Sequence, residues 1–137
     1  MDRAHAESRL KRYFAERDDV IVAYLFGSVA RDAARDDSDV DVAVLLSAMP
    51  EDPYDRSGSN IVAELTSRLG VDVDVVVLNH APVDLIHRVL RDDCILAEHD
   101  RSRRIAFEVD ARNRYFDLLP FIRRYRRQEG SSPEVPA

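Results

Sequence analysis

A chain of 137 residues, 45% hydrophobic and 34% charged, has an ordinary globular composition and the length of one domain with a single core. Its formal net charge of −6 argues against direct nucleic-acid binding by bulk electrostatics, and no apolar run approaches the roughly 18 residues of a membrane helix. The single cysteine, Cys94, cannot form an internal disulfide, and the charged N-terminus lacks the apolar core of a signal peptide, so a cytoplasmic protein is expected.

Residues from about Arg3 to Arg17 predict a helix, with Leu10, Tyr13 and Phe14 as a narrow apolar stripe. Val20–Phe26 is β-branched, aromatic and nearly continuous, the pattern of a buried strand. Gly27-Ser28 opens a turn, and Ala30–Ala34 predicts one helical turn before an Asp-rich loop. Val40–Leu46 is the second strand, and Ser47–Asp55, with Pro50 and Pro53, a loop. Ile61, Val62, Leu65 and Leu69 mark an amphipathic helix that Gly70 is placed to end. Asp72–Leu78 is a third, strongly apolar strand, and Pro82 suits the first turn of a helix over Val83–Arg91.

Cys94–Ala97 reads as a short strand or an extended link, with Cys94 a buried structural thiol. Ser102 to about Arg127 predicts a last helix with Ile105, Val109, Phe116 and Leu119 facing inward, Leu118 and Ile122 beside them, and a kink or break at Pro120. The domain is expected to span residues 1–127, with 128–137 a frayed polar tail. The alternation predicts a central sheet flanked by helices, an α/β (α+β) fold. The link between the first two strands is too short for a crossover helix, so that pair should be antiparallel and the sheet mixed.

Charge is unevenly spread. Arg101, Arg103, Arg104, Arg112, Arg114, Arg123, Arg124, Arg126 and Arg127 crowd the last helix, while Asp32, Asp36, Asp37, Asp39 and Asp41 cluster earlier. The basic segment fits a partner surface and equally a solvated helix face with arginines favoured by the helix dipole.

The residues that carry chemistry are Gly27-Ser28 and, ten positions on, Asp39-Val40-Asp41. Asp-x-Asp alone means little here, since Asp37/Asp39 and Asp72/Asp74 match it too. The spacing, with one strand before the glycine and another through the acids, is what is rare. Strand side chains alternate, so Asp39 and Asp41 share a face and repel unless a cation lies between them. Mg²⁺, a hard ion that accepts carboxylate and phosphate oxygens together, suits such a pair. A third carboxylate is sought in the third strand. Asp74, inside an apolar run, is preferred on burial to Asp72, which lies nearer the strand start.

Three carboxylates can hold two metal ions, one activating a hydroxyl and one gripping a triphosphate. Gly27 lets backbone approach phosphate, Ser28 offers a hydroxyl, and Arg31 could reach the same phosphates or instead pair with Asp32 or Asp36. His5, His80, His87 and His99 show no metal-ligand spacing, and Ser28 lacks a nucleophile-elbow pattern.

Gly27-Ser-Val-Ala-Arg31, the ten-residue spacing and Asp39-Val-Asp41 resemble the signature of the DNA polymerase β-like nucleotidyltransferase superfamily, and the small size resembles its minimal nucleotidyltransferase branch. Val73–Pro82, Leu85–Leu90 and Arg101–Arg127 are similar as well, although Asp32 stands where family members often have glycine. The resemblance implies a polymerase β-like fold and a mixed sheet. It implies Asp39, Asp41 and Asp74 as catalytic, Mg²⁺-binding residues, and Gly27, Ser28 and Arg31 on the nucleotide, with ATP as substrate.

It further implies an antitoxin that transfers AMP to a tyrosine hydroxyl of a cognate HEPN-domain ribonuclease toxin. Larger members carry a second helical domain that presents the acceptor. The expectation here is an open acceptor side, filled by a macromolecular acceptor or completed by a second subunit, with Tyr115, Phe121 and Tyr125 of the last helix as a docking surface or as core. Two alternatives stay open: a non-catalytic antitoxin that acts by binding, and a transferase for a small, aminoglycoside-like acceptor.

Overall fold

The structure, a computed structural model, describes residues 3–33 and 39–130. Its elements are α1 (Arg3–Ala15), β1 (Val20–Phe26), α2 (Gly27–Ala30), β2 (Val40–Leu46), α3 (Pro53–Arg56), α4 (Ser59–Leu69), β3 (Val73–Val77), a 3₁₀ turn at Leu78–His80, α5 (Val83–Asp92), β4 (Ile95–Glu98) and α6 (Arg101–Gly130). Four strands form one sheet in the order β3-β2-β1-β4. β1 pairs antiparallel with β2 and with β4, while β2 and β3 run parallel. The sheet is therefore mixed, and the short β1–β2 link does join an antiparallel pair. A full helix, α4, lies in the crossover that the parallel pair requires.

Alternation sorts the strand residues onto two faces. Ala23 and Leu25 of β1, Val42 and Val44 of β2, and Val73 and Val77 of β3 pack with Leu10 and Phe14 of α1 and Ile61 and Leu65 of α4. Val22 and Tyr24, with Ala43 and Leu45, face the other way, toward Ile86 and Val89 of α5 and Ala111 of α6. Burial of both faces explains why β1 and β2 read as continuous apolar runs. Gly70 ends α4 in the left-handed conformation at φ 72°, as its position in the pattern predicts. Cys94 is buried, β4 realises the short strand expected near it, and a single helical turn, α3, interrupts the loop expected through Asp55.

Several expectations need correction. β3 stops at Val77 and lies at the sheet edge, so Val75 and Val76 are only half-buried and Asp74 is exposed. It is not the fully buried strand its apolar run suggests, because among the described residues no further strand covers its outer edge. The helical turn after β1 begins at Gly27 rather than Ala30, and Ala34 lies outside the described residues.

The inner stripe of α6 is also different. Ile105, Val109, Phe116 and Leu118 are exposed and Leu119 is half-buried, the Ile122 side chain lying outside those described, while the inward positions are Arg104, Phe107, Glu108, Ala111 and Tyr115. Buried Glu108 explains the inversion. Its carboxylate accepts a 2.7 Å hydrogen bond from the Tyr24 hydroxyl on β1 and pairs with Arg104 at 2.7 Å and Arg112 at 3.4 Å. A satisfied buried charge takes the place that periodicity reserves for an apolar side chain. The helix runs through Pro120 without a break. It continues to Gly130, past the expected start of the tail, and residues 131–137 lie outside those described.

Candidate active site

Parallel pairing of β2 with β3 sets Val40 against Val73 and Asp41 against Asp74. Residues opposite one another in a ladder project from the same face, and Asp39 shares that face by alternation. It is the face covered by α5 and α6, because Val42 and Val73 belong to the opposite core. Asp41 is half-buried, with Asp39 and Asp74 exposed beside it.

The Asp41 carboxyl is pushed above its ordinary pKa, first by burial, then by the charges of Asp74 and Asp39, with Arg31 partly offsetting them. Asp72 is not among the charges acting on it, and lies outside the strand. The burial premise that favoured Asp74 over Asp72 therefore fails, since both are exposed; register and charge distinguish them instead. Among the described residues no three acidic, His or Cys side chains stand as a closed metal-holding set. The donor set, three hard carboxylate groups whose mutual repulsion a divalent cation would relieve, fits Mg²⁺.

The Gly27 turn abuts these acids. Phe26, the last residue of β1, lies opposite Asp41 in the antiparallel register. Gly27 has φ +79°, and a Cβ there would overlap Asp41 Oδ2 and lie 3.1 Å from its Cγ. Only glycine meets both demands at this position. Its N–H donates to Asp92 Oδ2 at 2.9 Å. Ser28 is half-buried, and its carbonyl accepts from the Ala33 N–H at 2.8 Å. Arg31 is exposed and pairs with Asp92 at 3.3 Å. Asp32 is instead bound by Arg3 at 3.4 Å, and Asp36 lies outside the described residues.

A cleft of about 270 Å³ opens here, lined by Phe26, Gly27, Arg31, Asp41, Arg88, Arg91 and Asp92. A larger cleft of about 450 Å³ lies elsewhere, between α1 and α4 at Arg9, Arg12, Tyr13, Arg68 and Leu69, and holds none of these acids. Gly27 and Asp41 thus touch, Arg31 borders the same space, and Asp39 and Asp74 stand beside Asp41 in the field. Ser28 does not line the cleft. Sequence reasoning missed Arg88, Arg91 and Asp92 of α5. Their i, i+3 and i+4 spacing places them on one helix face, but nothing local ties that face to a turn some sixty residues earlier.

Residues 8–102 match the family model described as Polymerase beta, Nucleotidyltransferase. Among solved structures, a toxin–antitoxin with AMP-PNP aligns over 88% of this chain and 97% of its own, at 25% identity and TM-score 0.73. A chain from the Shewanella oneidensis complex of a tri-AMPylated HEPN toxin with its MNT antitoxin aligns over 91% and 99%, at 23% identity and TM-score 0.70. A proposed minimal nucleotidyltransferase is 31% identical over 66% of this chain and 92% of its own, with TM-score 0.54. No curated protein matches the chain significantly.

Proposed function

The chain belongs to the polymerase β nucleotidyltransferase family, and on that footing we propose that it is an Mg²⁺-dependent protein adenylyltransferase. It moves AMP from ATP to a tyrosine hydroxyl of a HEPN-domain ribonuclease toxin and so silences it. One observation carries this function: Gly27, without a side chain, abuts the Asp41 carboxylate, and Asp74 stands opposite Asp41 in the β2–β3 ladder. Support for nucleotide and partner comes from similar proteins, a toxin–antitoxin holding AMP-PNP and a complex whose toxin is AMPylated.

In this mechanism Asp39, Asp41 and Asp74 would hold Mg²⁺, whose charge would neutralise the triphosphate and lower the pKa of the attacking hydroxyl. The Gly27 turn lets phosphate approach the backbone N–H groups that follow it, with the Ser28 hydroxyl and Arg31 as further donors. The tyrosine oxygen attacks the α-phosphorus, a new P–O bond forms, and the bond to the leaving pyrophosphate breaks. Asp74, exposed on the edge strand β3, takes the hydroxyl proton.

Incubation with a co-purified HEPN partner and ATP should add whole AMP increments to the partner's intact mass. Asp39→Asn and Asp41→Asn should each lower transfer by several kcal/mol of transition-state stabilisation, on the order of a thousandfold, while leaving the fold intact. Transfer by both variants at the wild-type rate would refute the metal assignment. The exposed Phe116 and Phe121 of α6 favour a second function, neutralisation by binding alone. In that case the Asp variants would still silence the toxin, and charge reversal at Arg123 and Arg124 would not.

A further inference from the structure

We infer that Asp92 is a positioning residue for the nucleotide: its buried carboxylate braces the Gly27 turn and holds Arg31 at the cleft. This rests on the function proposed above. The Asp92 side chain is 5% exposed, against 51% for Arg31. A carboxylate so buried is costly unless donors surround it. Among the described residues, its two hydrogen-bond donors and one longer ion-pair partner line the nucleotide cleft. The Gly27 N–H lies 2.9 Å from Oδ2, Arg31 Nη1 lies 3.3 Å from the same oxygen, and Arg91 Nε lies 3.9 Å from Oδ1.

One oxygen therefore ties together the turn that shapes the phosphate site and the arginine at its rim. Gly27, without a side chain, cannot brace its own turn, and a long arginine pays heavily in entropy when it is ordered only on binding. Asp92 supplies both constraints beforehand, from the end of α5, where Asp93 turns the chain into the left-handed conformation at φ 49°. A partly exposed ion pair contributes little to folding, so the consequence of this one is expected in binding rather than in stability.

The test titrates AMP-PNP with Mg²⁺ into the full chain and into Asp92→Asn, Arg31→Ala and the double variant. Asparagine keeps the shape and an oxygen for the Gly27 N–H but removes the charge that holds Arg31. Asp92→Asn should weaken AMP-PNP binding about tenfold, the usual worth of a charged hydrogen bond, with Tm changed by no more than about 2 °C. The double variant should bind no more weakly than Arg31→Ala, because Asp92 acts through that side chain. Binding by Asp92→Asn equal to or tighter than wild type would overturn the inference, tighter binding meaning that Asp92 competes with the phosphates. Losses that multiply in the double variant would overturn it as well. Failure of the wild type to bind AMP-PNP would overturn the proposed function, and this inference with it.

Discussion

At position 27 two independent constraints coincide, a positive φ of +79° and an Asp41 carboxylate in the space a Cβ would fill. Gly27→Ala should therefore cost about 1–2 kcal/mol in backbone strain alone, and should also lower transfer by displacing Asp41. Melting curves and AMP transfer, measured together, check both effects. Asp41 makes a pH prediction. Burial and the charges of Asp74 and Asp39 raise its carboxyl pKa in the folded protein, so the folded state holds that proton more tightly than the unfolded chain. Its stabilising contribution is fully present below the unfolded pKa and is lost as pH rises through the folded one. Asp41→Asn should thus melt higher than wild type at pH 7, and the gap should close below about pH 3.5, under the ordinary carboxylate range. Saturating Mg²⁺ should narrow it at pH 7 by stabilising the wild type alone. The Gly27 turn and the Asp39/Asp41 pair could be recognised in the sequence because strand alternation is local. Asp92 could not, since its partners Gly27 and Arg31 are joined to it only by the fold.

Among the elements, α6 is the one whose pattern misleads. Its contact with the sheet runs through Tyr24, Glu108 and Arg104, an ion-paired polar cluster under an arginine-rich surface. Ile105, Val109 and Phe116, which periodicity would bury, face out. Periodicity records which residues are apolar, not which charges have found partners, and here the partners decide. Tyr24→Phe should cost about 1 kcal/mol by leaving the buried Glu108 carboxylate short of a donor, seen as a lower midpoint in urea with an unchanged m-value. The second half of α6 is different. Beyond Tyr115 the described side chains are exposed apart from half-buried Leu119 and Phe121 and Arg123–Arg126 hold no core position. Ending the chain after Pro120 should leave Tm within about 3 °C, while binding of a HEPN partner, followed by size-exclusion chromatography, should be lost. The strands were more legible. β1 and β2 are covered on both faces and read as such; β3 has the same composition but one open edge, and edge position has no signature in a short valine run.

At the scale of the molecule, both helical layers press on the sheet while the acids stand at one end of it, where β1 leaves and β2 and β3 enter. α1 and α4 support that end from behind, and α5 closes it in front with Arg88, Arg91 and Asp92. Long-range pairing unites the parts. The distance from the glycine bend to its acid is set by the rung joining Phe26 to Asp41, whereas the number of residues strung between them merely has to reach. Kinship in such proteins is then better sought in which rungs face each other than in gap length. A distant cousin with a longer excursion between bend and acids could keep the same chemistry, and one with the same gap but a ladder slipped by a single residue would have turned its carboxylates to the wrong side.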